Sequence, residues 1–121
     1  MPYSQRQIVE VFFRLPPDGE KLKHPVVILS NSEINEDERA FVAVMMTSRN
    51  HDDEYSFTLD DSMVSKPFDD KKDHREIRLH LIGHFLDADV ENNSQGLRFL
   101  KEDHFKRLIY QMNEITFNIK I

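Results

Sequence analysis

Residues 25–47 read PVVILS, NSEINEDER, AFVAVMMT: an apolar run from Pro25 to Ser30, a mostly polar stretch from Asn31 to Arg39, and a second apolar run from Ala40 to Thr47. Both runs are too short for free-standing helices and are apolar almost throughout rather than at alternate positions. That pattern marks strands buried on both faces. Pro25 stands at the head of the first run, where a missing amide hydrogen takes no bond from a ladder. The polar stretch between them predicts a loop.

Upstream, Ile8 to Phe13 (IVEVFF) is β-branched and aromatic and predicts another strand. Leu15 to Glu20 stops it with two prolines and an Asp18-Gly19 turn signal. Downstream, Ser48 to Glu54 predicts a polar loop, and the alternation of Tyr55, Phe57 and Leu59 predicts a strand over Tyr55 to Leu59. Asp60 to Asp73 is charged, contains Pro67, and predicts a mobile segment or an excursion. His74 to Leu81 alternates again, with Ile82 to Leu86 continuing past a bend at Gly83.

Val90 to Gly96 predicts an Asn-rich loop. Lys101 to Ile115 is the strong helix candidate, because Phe105, Leu108, Ile109, Met112 and Ile115 recur at helical spacing. Glu102 and Asp103 stand near its start, where the helix dipole favours anions. Phe117 to Ile119 predicts a short terminal strand. With no internal repeat or linker, residues 1–121 make one domain, mainly β with a small α part: a small barrel or sandwich capped by a C-terminal helix.

The chain is 39% apolar and 31% charged, with no cysteine and no run near the ~20 apolar residues that span a bilayer. Without cysteine there is neither a disulfide framework nor a thiolate site. The N-terminus lacks a signal-peptide layout, so a cytoplasmic protein without a membrane partner is expected. A net charge of −6 argues against broad electrostatic capture of nucleic acid, yet leaves room for a local basic patch.

Three motifs stand in a telling order. Gln7-Ile8-Val9-Glu10-Val11 opens the first strand. Lys23-His24-Pro25-Val26-Val27-Ile28-Leu29-Ser30-Asn31 leads into the second. Val44-Met45-Met46-Thr47-Ser48 ends the third. Together with Arg78 to Leu86 and Leu100-Lys101-Glu102-Asp103, they resemble the plan of the PemK/MazF-type toxin family over residues 7 to 115. The resemblance implies an SH3-like β-barrel and a homodimer. It also implies metal-independent cleavage of single-stranded RNA without a cofactor, and a cognate antitoxin that occludes the groove. It carries the family's threonine onto Thr47. The family's arginine before proline is His24 here, so His24 takes that place by position alone.

Metal-free RNA cleavage needs a base for the 2′-hydroxyl, an acid for the 5′-oxygen and donors for the phosphorane. Histidine, with a pKa near ~6.5, serves as either base or acid. His24 and Thr47 are therefore the catalytic candidates. His24 also reads as an ordinary loop histidine, and Thr47-Ser48 as a strand end bonded to its own backbone. Arg14, Lys21 and Lys23 bracket the first loop, either as solvated surface or as a phosphate clamp that replaces the missing fixed charge. Ser48, Arg49 and His51 follow Thr47 and are candidates for the same groove.

Arg78 and His80 share a strand face and either line the groove floor or face solvent. His80 and His84 are four apart, a ligand spacing suited to a helix, but this segment reads as strand, so no metal site is expected. The acidic Asn35-Glu36-Asp37-Glu38 and Asp69-Asp70 read as solvated loops or as mimics of nucleic acid. No Gly-rich phosphate loop is present. Two other functions fit the same fold: an RNA- or protein-binding module that has lost catalysis, and a topoisomerase poison.

Overall fold

The structure is a computed structural model that describes residues 3–14, 19–91 and 97–119. Its strands are β1 (Ile8–Arg14), β2 (Lys21–Ile28), β3 (Ala40–Thr47), β4 (Ser56–Leu59) and β5 (Arg75–Leu86). They form one antiparallel sheet in the order β1-β2-β3-β5-β4. Helix α1 (Ser32–Glu38) joins β2 to β3, and α2 (Glu102–Gln111) follows β5. The class is the mainly β, helix-capped one expected. No ladder joins edge strands β1 and β4 among the described residues, so the curled sheet stays open.

Both faces of the central strands are buried, as their continuous apolar runs predict. Val27, Val44 and Met46 pack on one face with Phe57, Ile77 and Leu79, under Phe105, Leu108 and Met112 of the C-terminal helix. Val26, Ile28, Ala43 and Met45 pack on the other with Phe41 and Phe85.

Four expectations are corrected. Residues 31–39 are not a simple loop but contain α1. Asn31 caps it by accepting the Ile34 amide at 2.9 Å, and Arg39 ends it in the left-handed region at φ 50°. Its buried Asn35 donates to the Tyr3 and Ser30 carbonyls and accepts from the Ser30 hydroxyl.

Second, the β3–β5 ladder is unbroken at Gly83, which faces Ala43. The irregularity comes earlier: Val44 and Met46 pair with Ile82 and Ile77, which leaves Arg78 to Leu81 as a bulge. Gly83 lies where a Cβ would stand 2.8 Å from the Phe85 ring.

Third, the terminal strand is absent among the described residues. α2 passes into a wider π-helical turn, Met112–Phe117, tied to the sheet where Thr116 Oγ1 donates to the Leu79 carbonyl at 2.7 Å. Ile109 and Ile115, expected on the buried helix face, are exposed.

Fourth, β2 starts at Lys21 rather than at Pro25, which lies inside the strand opposite Glu10. Residues 60–73 take the excursion of their two expected forms and pack back on the core. Val64 is buried and bridges Leu100. The predicted turn residues up to Asp18, and Asn92 to Gly96 of the Asn-rich loop, lie outside the described residues.

Candidate active site

The cavity follows from where a ladder stops. β2 and β3 pair only from Val26–Met45 to Ile28–Ala43, although β2 begins at Lys21 and β3 continues to Thr47. Pro25, just beyond the last pair, has no amide hydrogen to donate. β1 still holds this part of β2, pairing Val11 with His24 and Glu10 with Pro25. The two strand ends therefore diverge, and a cavity of about 620 Å³ opens between them. Lys23, His24 and Pro25 line one wall, and Met46, Thr47 and Ser48 line the other. The far side comes from the excursion after β4 and from two arginines, Arg75 and Arg98.

His24 is half-buried, with its ring 4.5 Å from that of Phe13. Its Nε2 is covered and has no hydrogen-bond partner among the described residues. Burial pushes its pKa below the ordinary histidine value, so the imidazole is neutral at pH 7. Thr47 Oγ1 accepts the Arg49 amide at 3.1 Å, the bond expected of a strand end. That leaves its own hydrogen to donate.

Behind Thr47 stands its ladder partner Glu76, whose carboxylate is 1% exposed. His51 Nδ1 lies 2.8 Å from it, His74 Nε2 2.7 Å and Arg78 Nη1 3.2 Å, and the Ser56 hydroxyl donates to it as well. The His51 amide adds a bond at 3.2 Å. Burial pushes the Glu76 pKa up, but the bonds from Ser56, His74 and His51 outweigh it and hold it at about 2. Glu76 thereby fixes the loop that follows Thr47.

The far wall is built around Phe68. The Arg75 guanidinium lies 3.9 Å from the Phe68 ring centroid and that of Arg98 4.8 Å. Arg75 pairs with Asp70, and Arg98 Nη2 lies 3.8 Å from Asp69. Arg98 also donates to the Lys66 and Pro67 carbonyls at 2.9 and 2.8 Å, which ties the excursion to the segment before α2.

Of the residues singled out from sequence, His24, Thr47, Lys23 and Ser48 meet at this cavity. Arg14 and Lys21 face each other at the open end of the β1–β2 pair, both exposed and outside the lining. Arg49 is exposed beyond Ser48, and His51 is turned to Glu76.

Arg78 and His80 do not form a groove floor here. Arg78 is 8% exposed and gripped by Asp53 at 2.8 and 3.2 Å, besides Glu76 and Ser56. His80 is exposed, beside Tyr55. Sequence reasoning missed Phe68, Arg75 and Arg98. A lone aromatic amid the charges of residues 60–73 was the available signal for Phe68. Nothing marked the arginines as neighbours.

Fold and cavity together define a helix-capped, single-sheet protein with a charged cleft between two splayed strands. Solved structures with this shape include MazF from Deinococcus radiodurans, 15% identical, with a TM-score of 0.68 over 97% of this chain and 98% of that one. An endoribonuclease from a Mycobacterial species is 13% identical, with a TM-score of 0.70 over 100% and 96%. A Mycobacterial endoribonuclease in complex with its cognate antitoxin is 13% identical, with a TM-score of 0.70 over 98% of each chain. No curated protein matches by sequence. The family model for the PemK-like, MazF-like toxin of type II toxin-antitoxin systems matches residues 4–105. The chain belongs to that family. Among the described residues, no helix is long and apolar enough to cross a membrane.

Proposed function

We propose that this chain is the toxin of a type II pair and a metal-independent endoribonuclease acting on single-stranded RNA. The observation that supports this most is the cavity that brings His24 and Thr47, from different strands, together beside fixed guanidinium groups. In this reading the ribose 2′-oxygen attacks the adjacent phosphorus while the bond from phosphorus to the 5′-oxygen breaks. The imidazole of His24, neutral at pH 7, takes the 2′-hydroxyl proton. Its ring turns away from Phe13 to present Nε2. The Thr47 hydroxyl donates to a non-bridging oxygen as charge builds on the phosphorane. Solvent returns a proton to the leaving 5′-oxygen.

This chemistry dictates its own test. Purified protein with single-stranded RNA in excess chelator is expected to give fragments ending in a 2′,3′-cyclic phosphate. RNA with 2′-O-methyl riboses, which lack the nucleophile, is expected to survive. Cutting of the methylated strand, or cutting only when metal is supplied, contradicts the mechanism. The family reading adds a cognate antitoxin over the cavity and a second copy of the chain as partner. The exposed Tyr110, Phe117 and Ile119 near the C-terminus support a face covered by protein.

One observation favours a second reading, a binding module without catalysis. The residue at position 24 is a histidine whose Nε2 is covered. RNA binding that falls steeply with salt, without product, would establish that reading.

A further inference from the structure

We propose that Arg75 and Arg98 form a phosphate subsite for single-stranded RNA on the far wall of the cavity, filled in the free protein by the chain's own Asp70 and Asp69 carboxylates. This rests on the RNA reading above and adds to it a place for the strand and a built-in competitor.

Both guanidinium groups line the cavity, and their side chains are only 11% and 12% exposed. Phe68 carries both, and the Lys66 and Pro67 carbonyls hold Arg98 from behind. Two planar cations fixed in place have already lost the rotamer freedom that usually weakens a phosphate contact. A guanidinium donates to the paired oxygens of a carboxylate and of a phosphate in the same geometry.

The carboxylates now in place are weakly held. Asp70 and Asp69 are 58% and 81% exposed, so each is well solvated whether paired or released. An incoming phosphodiester displaces them into water and keeps the arginines where they are. The bland alternative is that Arg98 only staples the excursion to the segment before α2. It does not account for Arg75, for which no backbone carbonyl partner is seen among the described residues.

The test measures binding of a short, fluorescein-labelled single-stranded RNA, fully 2′-O-methylated so that it cannot be cut, by anisotropy between about 50 and 200 mM salt. Arg75→Gln is expected to weaken binding about tenfold and to reduce the slope of log K against log salt by about 0.7, one phosphate contact on a single strand. The double variant Asp69→Asn/Asp70→Asn is expected to bind about three- to tenfold more tightly, because the competitor has lost its charge. Asp37→Asn, on the exposed face of α1, removes the same kind of charge elsewhere and is expected to change binding less than about twofold.

A double variant no tighter than Asp37→Asn, or an Arg75→Gln protein that binds like the parent, overturns the subsite, as does a parent that does not bind. The double variant changes only exposed carboxylates, so it decides the question even if Arg75→Gln melts early. The expected pattern without any cutting of unmodified RNA keeps the subsite and removes the catalytic reading. Cutting with binding indifferent to these residues does the reverse.

Discussion

A histidine packed at a tilt against Phe13 with one nitrogen covered titrates differently from one in water. Burial favours the neutral form of His24, so its folded pKa lies below 6.5. The proposed base is that neutral form. The rate of RNA cutting at low substrate is therefore expected to rise with pH through a midpoint below 6.5 and to level off above it. Initial rates from pH 4.5 to 8 check this. A midpoint above 6.5, or an acid limb that survives in His24→Gln, contradicts the assignment.

Position 24 was legible because it directly precedes Pro25 in the Lys23-His24-Pro25 motif. What the sequence could not show is that Pro25 also stands where the β2–β3 ladder stops, which is what opens the cavity. Arg78 shows the opposite failure. Alternation placed it on a face but could not say that Asp53 and Glu76 would bury and neutralise it.

Two buried polar side chains hold connections of the sheet in place. Glu76 pins the loop after β3. Its pKa is about 2 in the fold against an ordinary 4.5, so the carboxylate is the favoured form and its contribution is complete above 4.5. It disappears as pH falls from there through about 2, a loss on the order of 3 kcal/mol. Urea midpoints measured from pH 2 to 6 are expected to fall on the acid side, and to fall less in Glu76→Gln. An unchanged acid limb in that variant would place the loss elsewhere, with Asp53 the next carboxylate to test.

Asn35 does for α1 what Glu76 does for the loop. Its side chain makes two hydrogen bonds with Ser30 and one to the Tyr3 carbonyl, which ties the β2–β3 connection to the segment before β1. Asn35→Leu is expected to cost about 1–3 kcal/mol by leaving the Tyr3 and Ser30 groups unpaired, read from the urea midpoint. The helix it anchors was missed because seven residues with one apolar member, the exposed Ile34, carry no periodic signal. Asn31 as a cap and Glu33 in the first turn were the local signs available.

Across the whole molecule, the two apolar runs were decisive because nothing but burial on both faces accounts for them. The helix that covers one face was legible for the same reason. Its far end was not, since the change to a wider turn at Met112 depends on Thr116 reaching a sheet carbonyl. Leu108, fully buried under the sheet, tests that packing: Leu108→Ala is expected to cost about 2–5 kcal/mol in urea unfolding. A cost below about 1 kcal/mol would mean that α2 adds little to the core.

The central claim is that strand ends from β2 and β3 meet to make the place where RNA is cut. Rates for the parent, His24→Ala and Thr47→Ala proteins on one single-stranded RNA test it most directly, with melting temperatures confirming that each is folded. Each variant is expected to lose at least about a hundredfold in rate, the usual worth of a proton-transfer group or a transition-state donor. Parent-like cutting by both folded variants would contradict the claim.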